Sequence, residues 1–575
     1  MSNFFTDNPD LDFYLRHGDW HEVVELRENR FADADKYDDA PRDYEDAIDS
    51  YWRVLQLVGE LAGERISVRA TGVDEEGCIL QDGKVQYASG IEAAIRELSQ
   101  ADLMGFTLPR RYGGLNLPTF LYTMAIEMVS QADASLMTIF GLQDIAETIH
   151  AFADEATKEE YLPRFSSGEV TGAMVLTEPD AGSDLQAVAL RAEEDPQSAC
   201  WRLNGVKRFI SNGCGHVLLV LARSEPRTTD ARGLSLFLCE RGPGVKIRRL
   251  ERKLGIRGSP TCEIQFVNTP ARLIGQRRRG LTQYVMALMN GARLGIAGQA
   301  VGIAQAAYVA ALDFANAREQ FGKKIKDIPP VRDMLAEMKT QIEAARALNM
   351  ETAKVVDLER YLGEQLESGK TGDREQLKEL KARQTFYKRC AAMLTPMAKL
   401  FATEMCQTAT TNAIQVHGGS GYMKDYPVER YFRDARITNI YEGTSQLQVV
   451  AAILGVTSGT CAAFLADLDR RVSGTANFDL LEHLRQHAEL TKQTIDHFNS
   501  QDEAFRQLYA RDLVDSAMDL INSYLLLETA PHSDHKKIIA RRYITQALPR
   551  IRMRRDRVLA ADRSTLDNFD AILHG

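Results

Sequence analysis

The sequence has no Cys-X-X-Cys pair: its eight cysteines, Cys78, Cys200, Cys214, Cys239, Cys262, Cys390, Cys406 and Cys461, are scattered along the chain. That argues against a zinc site or a disulfide framework and fits a reducing compartment. The opening stretch, MSNFFTDNPDLDFYLRHGDW, has no basic segment leading into an apolar core, so neither a signal peptide nor a transit peptide is expected. No apolar run approaches the length needed to span a bilayer. Nor is there a Gly-X-Gly-X-X-Gly set between a strand and a helix, which excludes a Rossmann unit. These absences lead to the expectation of a soluble, cytoplasmic protein.

What is present is a long chain of ordinary globular composition. At 575 residues, with 44% hydrophobic and 26% charged positions, it divides into several packed regions. The net charge of −10 disfavours nonspecific binding to nucleic acid by the molecule as a whole. Charge is uneven, however. Residues 536–563 carry ten Lys and Arg against two acids, leaving the rest of the chain near −18.

The apolar pattern changes character three times. Residues 1–170 place apolar side chains at three- and four-residue intervals, as in TFLYTMAIEMVSQADASLMTIF, and are expected to be helical. Over 171–285 come short apolar or alternating runs (GAMVLTEP, WRLNGVKRFISN, HVLLVLARS, GLSLFLCE, TCEIQFVN) separated by Gly, Pro, Asn and Asp. This is the pattern of an antiparallel sheet or barrel. The helical period returns over 286–458, beginning with the Gly- and Ala-rich ARLGIAGQAVGIAQAAYVAALDFANA. Within it, the charged stretch from Asp357 to Arg383 around a Gly-Lys-Thr-Gly turn is expected to be a solvated helical hairpin. Residues 459–575 form a further helical extension. The expected class is α+β: an N-terminal helical domain, a middle antiparallel β-domain, a C-terminal helical bundle and an added helical extension.

Five segments carry chemistry: LTEPDAGSD (176–184), KRFISNG (207–213), AREQFGK (317–323), QVHGGSGY (415–422) and IYEGTSQLQ (440–448). In this order and spacing, from about residue 90 to 455, the chain resembles the FAD-dependent acyl-CoA dehydrogenases, and among them the larger branch with a C-terminal helical extension. Oxidising an acyl-CoA needs a base for the α-proton, a flavin for the β-hydride, and donors for the thioester oxygen. The resemblance implies that Glu442 is the base and that its backbone N–H is one such donor. A variant of the family places the base immediately before an arginine matching Arg293; here that residue is Ala292, which leaves Glu442 without a rival. The implied FAD contacts are Thr177, Ser183, Phe209, Ser211, Arg318, Phe321, Gln415, Gly418, Gly419, Thr444 and Gln446, with Arg318 and Phe321 reaching the FAD of a neighbouring subunit. Phe209 stands where the family usually has Trp. The implied substrate contacts are Ser183, Asn290, Arg293, Tyr441 and Gly443. No metal is implied.

Each residue has a plainer reading. Glu442 can cap a helix, Arg318 can be a surface cation, Phe321 a core residue, and the paired glycines a helix terminator. His150 and His417 are expected to be structural. Gln143, Asp144 and Glu147, near the acyl end, are read equally well as an exposed helix face. The expected reaction is dehydrogenation to the trans-2-enoyl-CoA, with electron-transfer flavoprotein as acceptor. The expected assembly is a homodimer, with a homotetramer as the alternative. An acyl-CoA oxidase would use O₂ with the same base. An alkylation-response flavoprotein would bind DNA through the basic C-terminal helices. For that basic tail, packing on the acidic body ranks first, peripheral contact with anionic lipid second and nucleic acid last.

Overall fold

The computed structural model describes residues 2–196, 200–369, 373–474 and 478–575. Positions 370–372 of the Gly-Lys-Thr-Gly turn lie outside the described residues.

Helices carry the chain from Pro9 to Ser166, interrupted by a small hairpin of Ile79–Gln81 with Lys84–Gln86. Helix α1 (Pro9–His17) starts at Asn8, whose side chain accepts from the Asp10 N–H, and has proline at its first position. Helix α2 (Thr119–Ala132) is buried on nearly every side. That is why its apolar residues do not keep to one stripe.

The β-domain consists of β1 (Gly172–Val175), β2 (Arg191–Glu194), β3 (Trp201–Ser211), β4 (Val217–Arg223), β5 (Leu234–Glu240), β6 (Val245–Leu250) and β7 (Thr261–Ile274). Neighbour pairing runs β1-β4-β2-β3-β7-β5, and β5 pairs back onto β4, so the sheet closes on itself. Most pairs are antiparallel as expected. The exceptions are β1, which lies parallel to β4, and a single parallel pair, Arg191 with Arg223. The continuous apolar run in β4 follows from burial on both faces. Val217, Leu219 and Leu221 pack with Ile145 and Phe165 of the helical domain, while Leu218, Val220 and Ala222 pack with Trp201 and Phe237 inside the barrel.

The second helical half contains α3 (Met286–Ala317), α4 (Pro329–Glu367), α5 (Arg374–His417) and α6 (Ser445–Thr457). Gly302 of α3 lies so close to α2 that a Cβ there would stand 2.2 Å from the Glu127 carbonyl oxygen. Glycine is what lets the two backbones approach. Contrary to the sequence expectation, Gly280–Ala317 is long and apolar enough to cross a membrane, but 83% of its apolar window is buried inside the fold. It is a core helix, hydrophobic all round because it is surrounded by protein. Helices α4 and α5 form the expected hairpin, although Asp357 within it is buried and accepts from the backbone N–H groups of Thr119 and Phe120.

The extension adds α7 (Thr460–Val472), α8 (Phe478–Asn499), α9 (Glu503–Thr529) and α10 (Asp534–Ala560). The basic face of α10 is largely neutralised by acids. Lys536 bridges Asp10 at 2.7 Å and Glu343 at 2.5 Å, and Arg542 meets Asp333 at 2.8 Å. Acids of the extension itself take up more of the charge: Arg550 and Arg554 each reach Asp519 at 2.6 Å, and Arg557 reaches Asp512 at 3.0 Å.

Candidate active site

A cavity of about 620 Å³ opens between the β-domain and the second helical half. Its wall includes the TEP loop after β1, the end of β3 and the segment leading into α6. Thr177, Ser183, Phe209, Ser211, Tyr441, Glu442, Gly443 and Thr444 all line it. Three of the five motif segments contribute to this wall.

The TEP loop is held from inside the barrel. Lys207 is fully buried; its Nζ donates to the Leu176 carbonyl at 2.6 Å and pairs with Glu178 at 2.9 Å. Glu178 in turn accepts from the N–H groups of Ala189 and Leu190. Burial pushes the Lys207 pKa down to about 8, with Glu178 opposing the shift. The polar atoms of Thr177 and Ser183 are thereby presented on an anchored loop. Opposite them, Phe209 adopts φ 60° where the β3–β7 register slips between Lys207 and Ile210. A bulge with a left-handed residue re-aims a side chain. Here the ring stays half exposed at the cavity wall, with the Arg208 guanidinium 4.5 Å from its centroid.

Glu442 also has a left-handed backbone, φ 53°, followed by Gly443 at φ 90°. Such a turn costs energy in any residue but glycine and persists only when its surroundings fix it. Gln448 Nε2 donates to the carbonyls of both Glu442 (3.1 Å) and Gly443 (2.7 Å). Lys399 Nζ donates to the Gly443 carbonyl at 2.6 Å. The Tyr441 hydroxyl donates to Gln299 Oε1, and Gln299 Nε2 donates to the Ala134 carbonyl at 3.0 Å. Burial raises the Glu442 pKa above the usual carboxylate range, while Lys399 and Arg293 pull it back. Glu442 does not cap α6: Thr444 occupies the position before that helix.

The other expected contacts lie elsewhere. Arg293 is buried behind Glu442; its Nη1 donates to Asn290 at 3.2 Å, and its Nε has no hydrogen-bond partner among the described residues. Neither Arg293 nor Asn290 is part of the cavity wall. Arg318 ends α3, and Phe321, with φ 52° and 91% exposure, is at the tip of a hairpin of Glu319–Gln320 with Lys323–Lys324. It is not a core residue in this chain. Gly418 terminates α5 at φ 60°, and a Cβ on Gly418 or Gly419 would meet nothing within 4 Å. A stack of Phe314 on His417, centroids 4.3 Å apart, ties the ends of α3 and α5 together. Arg318 and the paired glycines thus share one exposed end of the bundle. Gln415 and Gln446 are exposed as well.

His417 is structural: its Nδ1 is 2.8 Å from the Ala413 carbonyl. Gln143, Asp144 and Glu147 are not an exposed face. Gln143 is buried, and Glu147 pairs with Arg360 at 2.7 Å. Desolvation, then the charge of Glu147, pushes the Asp144 pKa up to about 8. The reading from sequence passed over Lys399, Gln299 and Lys207. A lone lysine in the apolar run LTPMAKLFA was the available signal for the first.

Comparison with known proteins accounts for this arrangement. Family models described as the N-terminal, middle and C-terminal domains of acyl-CoA dehydrogenase match residues 54–169, 173–269 and 294–446. The chain is 37% identical over 361 residues to an acyl-CoA dehydrogenase of Bacillus subtilis, covering 62% of this chain and 86% of that one. It is 36% identical over 361 residues to an acryloyl-CoA reductase (NADH) of Anaerotignum propionicum, covering 62% and 84%. Its fold is similar to that of an acyl-CoA dehydrogenase from Bacillus anthracis solved with FAD: TM-score 0.70, 22% identity, 84% of this chain and 85% of that chain covered. With three consecutive domain models matched over more than half its length, the chain belongs to the acyl-CoA dehydrogenase family and is an FAD-dependent oxidoreductase.

Proposed function

We propose that the protein dehydrogenates an acyl-CoA thioester between Cα and Cβ, with Glu442 as the base, and passes the electrons to electron-transfer flavoprotein. The observation that carries the reading is a carboxylate with a raised pKa set in the wall of a cavity whose lining includes the apolar side chains of Leu142, Met174, Leu176, Met289 and Leu447 beside charged ones such as Arg433 and Arg436. An apolar surround excludes water and makes a carboxylate basic enough for a carbon acid. FAD suits the same cavity: Thr177, Ser183 and Ser211 offer hydroxyls in its wall, and Phe209 offers an aromatic ring. Bound FAD supplies the acceptor for the β-hydride. Glu442 takes the α-proton, the electrons of that C–H bond form the new double bond, and the enoyl thioester results. The Glu442 N–H faces the developing thioester oxygenate in this reading. Arg318, Phe321, Gln415, Gly418 and Gly419 lie outside the cavity, at the exposed end of the bundle, which supports a second copy of the chain meeting the nucleotide there in a homodimer. Cys78, Cys214, Cys239, Cys262, Cys390, Cys406 and Cys461 form no disulfide, which supports a reducing, cytoplasmic setting.

The test is anaerobic titration of the holoenzyme with butyryl-, octanoyl- and palmitoyl-CoA, followed by flavin bleaching. Bleaching by at least one ester in the wild type, and its loss by roughly 10²–10⁴-fold in Glu442→Gln with FAD retained, is expected. More than a tenth of the wild-type rate in that variant places the base elsewhere.

A further inference from the structure

Lys399 is fully buried on α5, and among the described residues its one hydrogen bond is to the Gly443 carbonyl at 2.6 Å. An ammonium has three donors and is costly to bury without a charge to answer it. The backbone turn does not require it, since Gln448 already donates to the same oxygen at 2.7 Å without any charge. What a lysine adds beyond a second hydrogen bond is a positive charge at the root of Glu442. We propose that Lys399 is a positioning residue for the base: it pins the Glu442–Gly443 turn through the Gly443 carbonyl and, together with Arg293, keeps the carboxylate in the cavity wall in its proton-accepting form.

The charged groups facing Lys399 are Glu442 from the loop, Arg293 from α3 and Glu404 from α5 itself. Both acids act on the ammonium, Glu442 more strongly than Glu404, which also accepts from the Ser445 hydroxyl. Burial pushes the Lys399 pKa down to about 7, and Glu442 is the largest influence holding it up. The coupling is mutual, because Lys399 is also the first influence pulling the Glu442 pKa down against burial. Without Lys399 the carboxylate would hold its proton to higher pH. The acid limb of the rate profile, where activity rises as the base ionises, would then move upward.

This inference rests on the reading of Glu442 as the base, and the experiment separates the two. Profiles of kcat/KM against pH are measured for wild type, Lys399→Met, Lys399→Gln, Lys399→Arg and Gln448→Leu, each loaded with FAD, using the acyl-CoA ester that bleaches the flavin best. Lys399→Met and Lys399→Gln are expected to lose on the order of tenfold in kcat at pH 7 and to show an acid limb about one unit higher. Gln448→Leu removes a neutral donor from the same carbonyl and is expected to lower kcat with the limb in place. Lys399→Arg keeps the charge and the limb. A folded, flavin-loaded neutral variant with an unmoved limb overturns the proposal. So does a moved limb in Lys399→Arg, which keeps the idea exposed even if both neutral variants fail to fold. An active Glu442→Gln would instead remove the reading beneath it.

Discussion

Arg471 of α7 grips Glu351 of α4 with two parallel bonds, Nη1 to Oε1 at 2.7 Å and Nη2 to Oε2 at 3.0 Å. The same guanidinium reaches Glu528 of α9 at 2.6 Å. One side chain therefore ties the catalytic bundle to the extension, and Glu351 is buried where it does so.

Replacing Arg471 with methionine keeps the stem but leaves Glu351 without its counter-charge. Breaking a largely buried pair from one side destabilises, here by about 3 kcal/mol. Denaturant midpoints of the two proteins check this. The double variant Arg471→Met with Glu351→Met should recover much of the loss, because the buried carboxylate is gone and Glu528, about a third exposed, stays hydrated.

A second prediction concerns pH and Asp144. Its folded pKa, about 8, lies above the usual 3.8. A raised carboxylate pKa means the folded state binds the proton more tightly. This contribution is complete below pH 3.8 and is lost as pH rises towards 8. Asp144→Asn removes the group that must stay protonated. The variant should therefore exceed the wild type in stability by at least about 1 kcal/mol at pH 8, the gap shrinking towards pH 5. Urea titrations at the two pH values measure the difference, and equal gaps at both would contradict the buried, protonated state.

The third concerns the exposed end of the bundle. Arg318→Ala should leave the Glu442 cavity intact and weaken FAD retention by about tenfold, the loss of a charged contact to a pyrophosphate. Fluorescence of released flavin on dilution reports it. Sedimentation on the same samples tests whether the proposed dimer forms and whether it weakens in step.

How much of the site could be read from the sequence followed from chemistry on loops. Thr177, Ser183, Ser211 and Glu442 sit in short loop segments whose resemblance to those of a known family is what assigned them. Lys399, Gln299 and Arg293 act from long helices packed behind the cavity. A helical pattern shows that a position is buried but not which loop it faces. The same limitation misplaced Gln143, Asp144 and Glu147: polar residues in sequence look like surface, and only their partners, such as Arg360, show that they are interior. The strands were legible where runs were continuous, as in β4. The parallel placement of β1 beside β4 left no mark, because β1 is four residues long and reads the same in either direction.

The bridge from Asp10 to Lys536 joins residues 526 positions apart. During synthesis Asp10 and Glu343 emerge long before the ammonium that satisfies them both. Until α10 arrives, the seam between the first helix and the catalytic bundle lacks one of its cations, and the face of α9 against which α10 packs stands open. Closure of this seam is a late event on the ribosome, set by chain order rather than by local propensity. Arrested or nicked chains lacking only α10 should therefore accumulate as open, chaperone-bound species even though every catalytic motif has already been made.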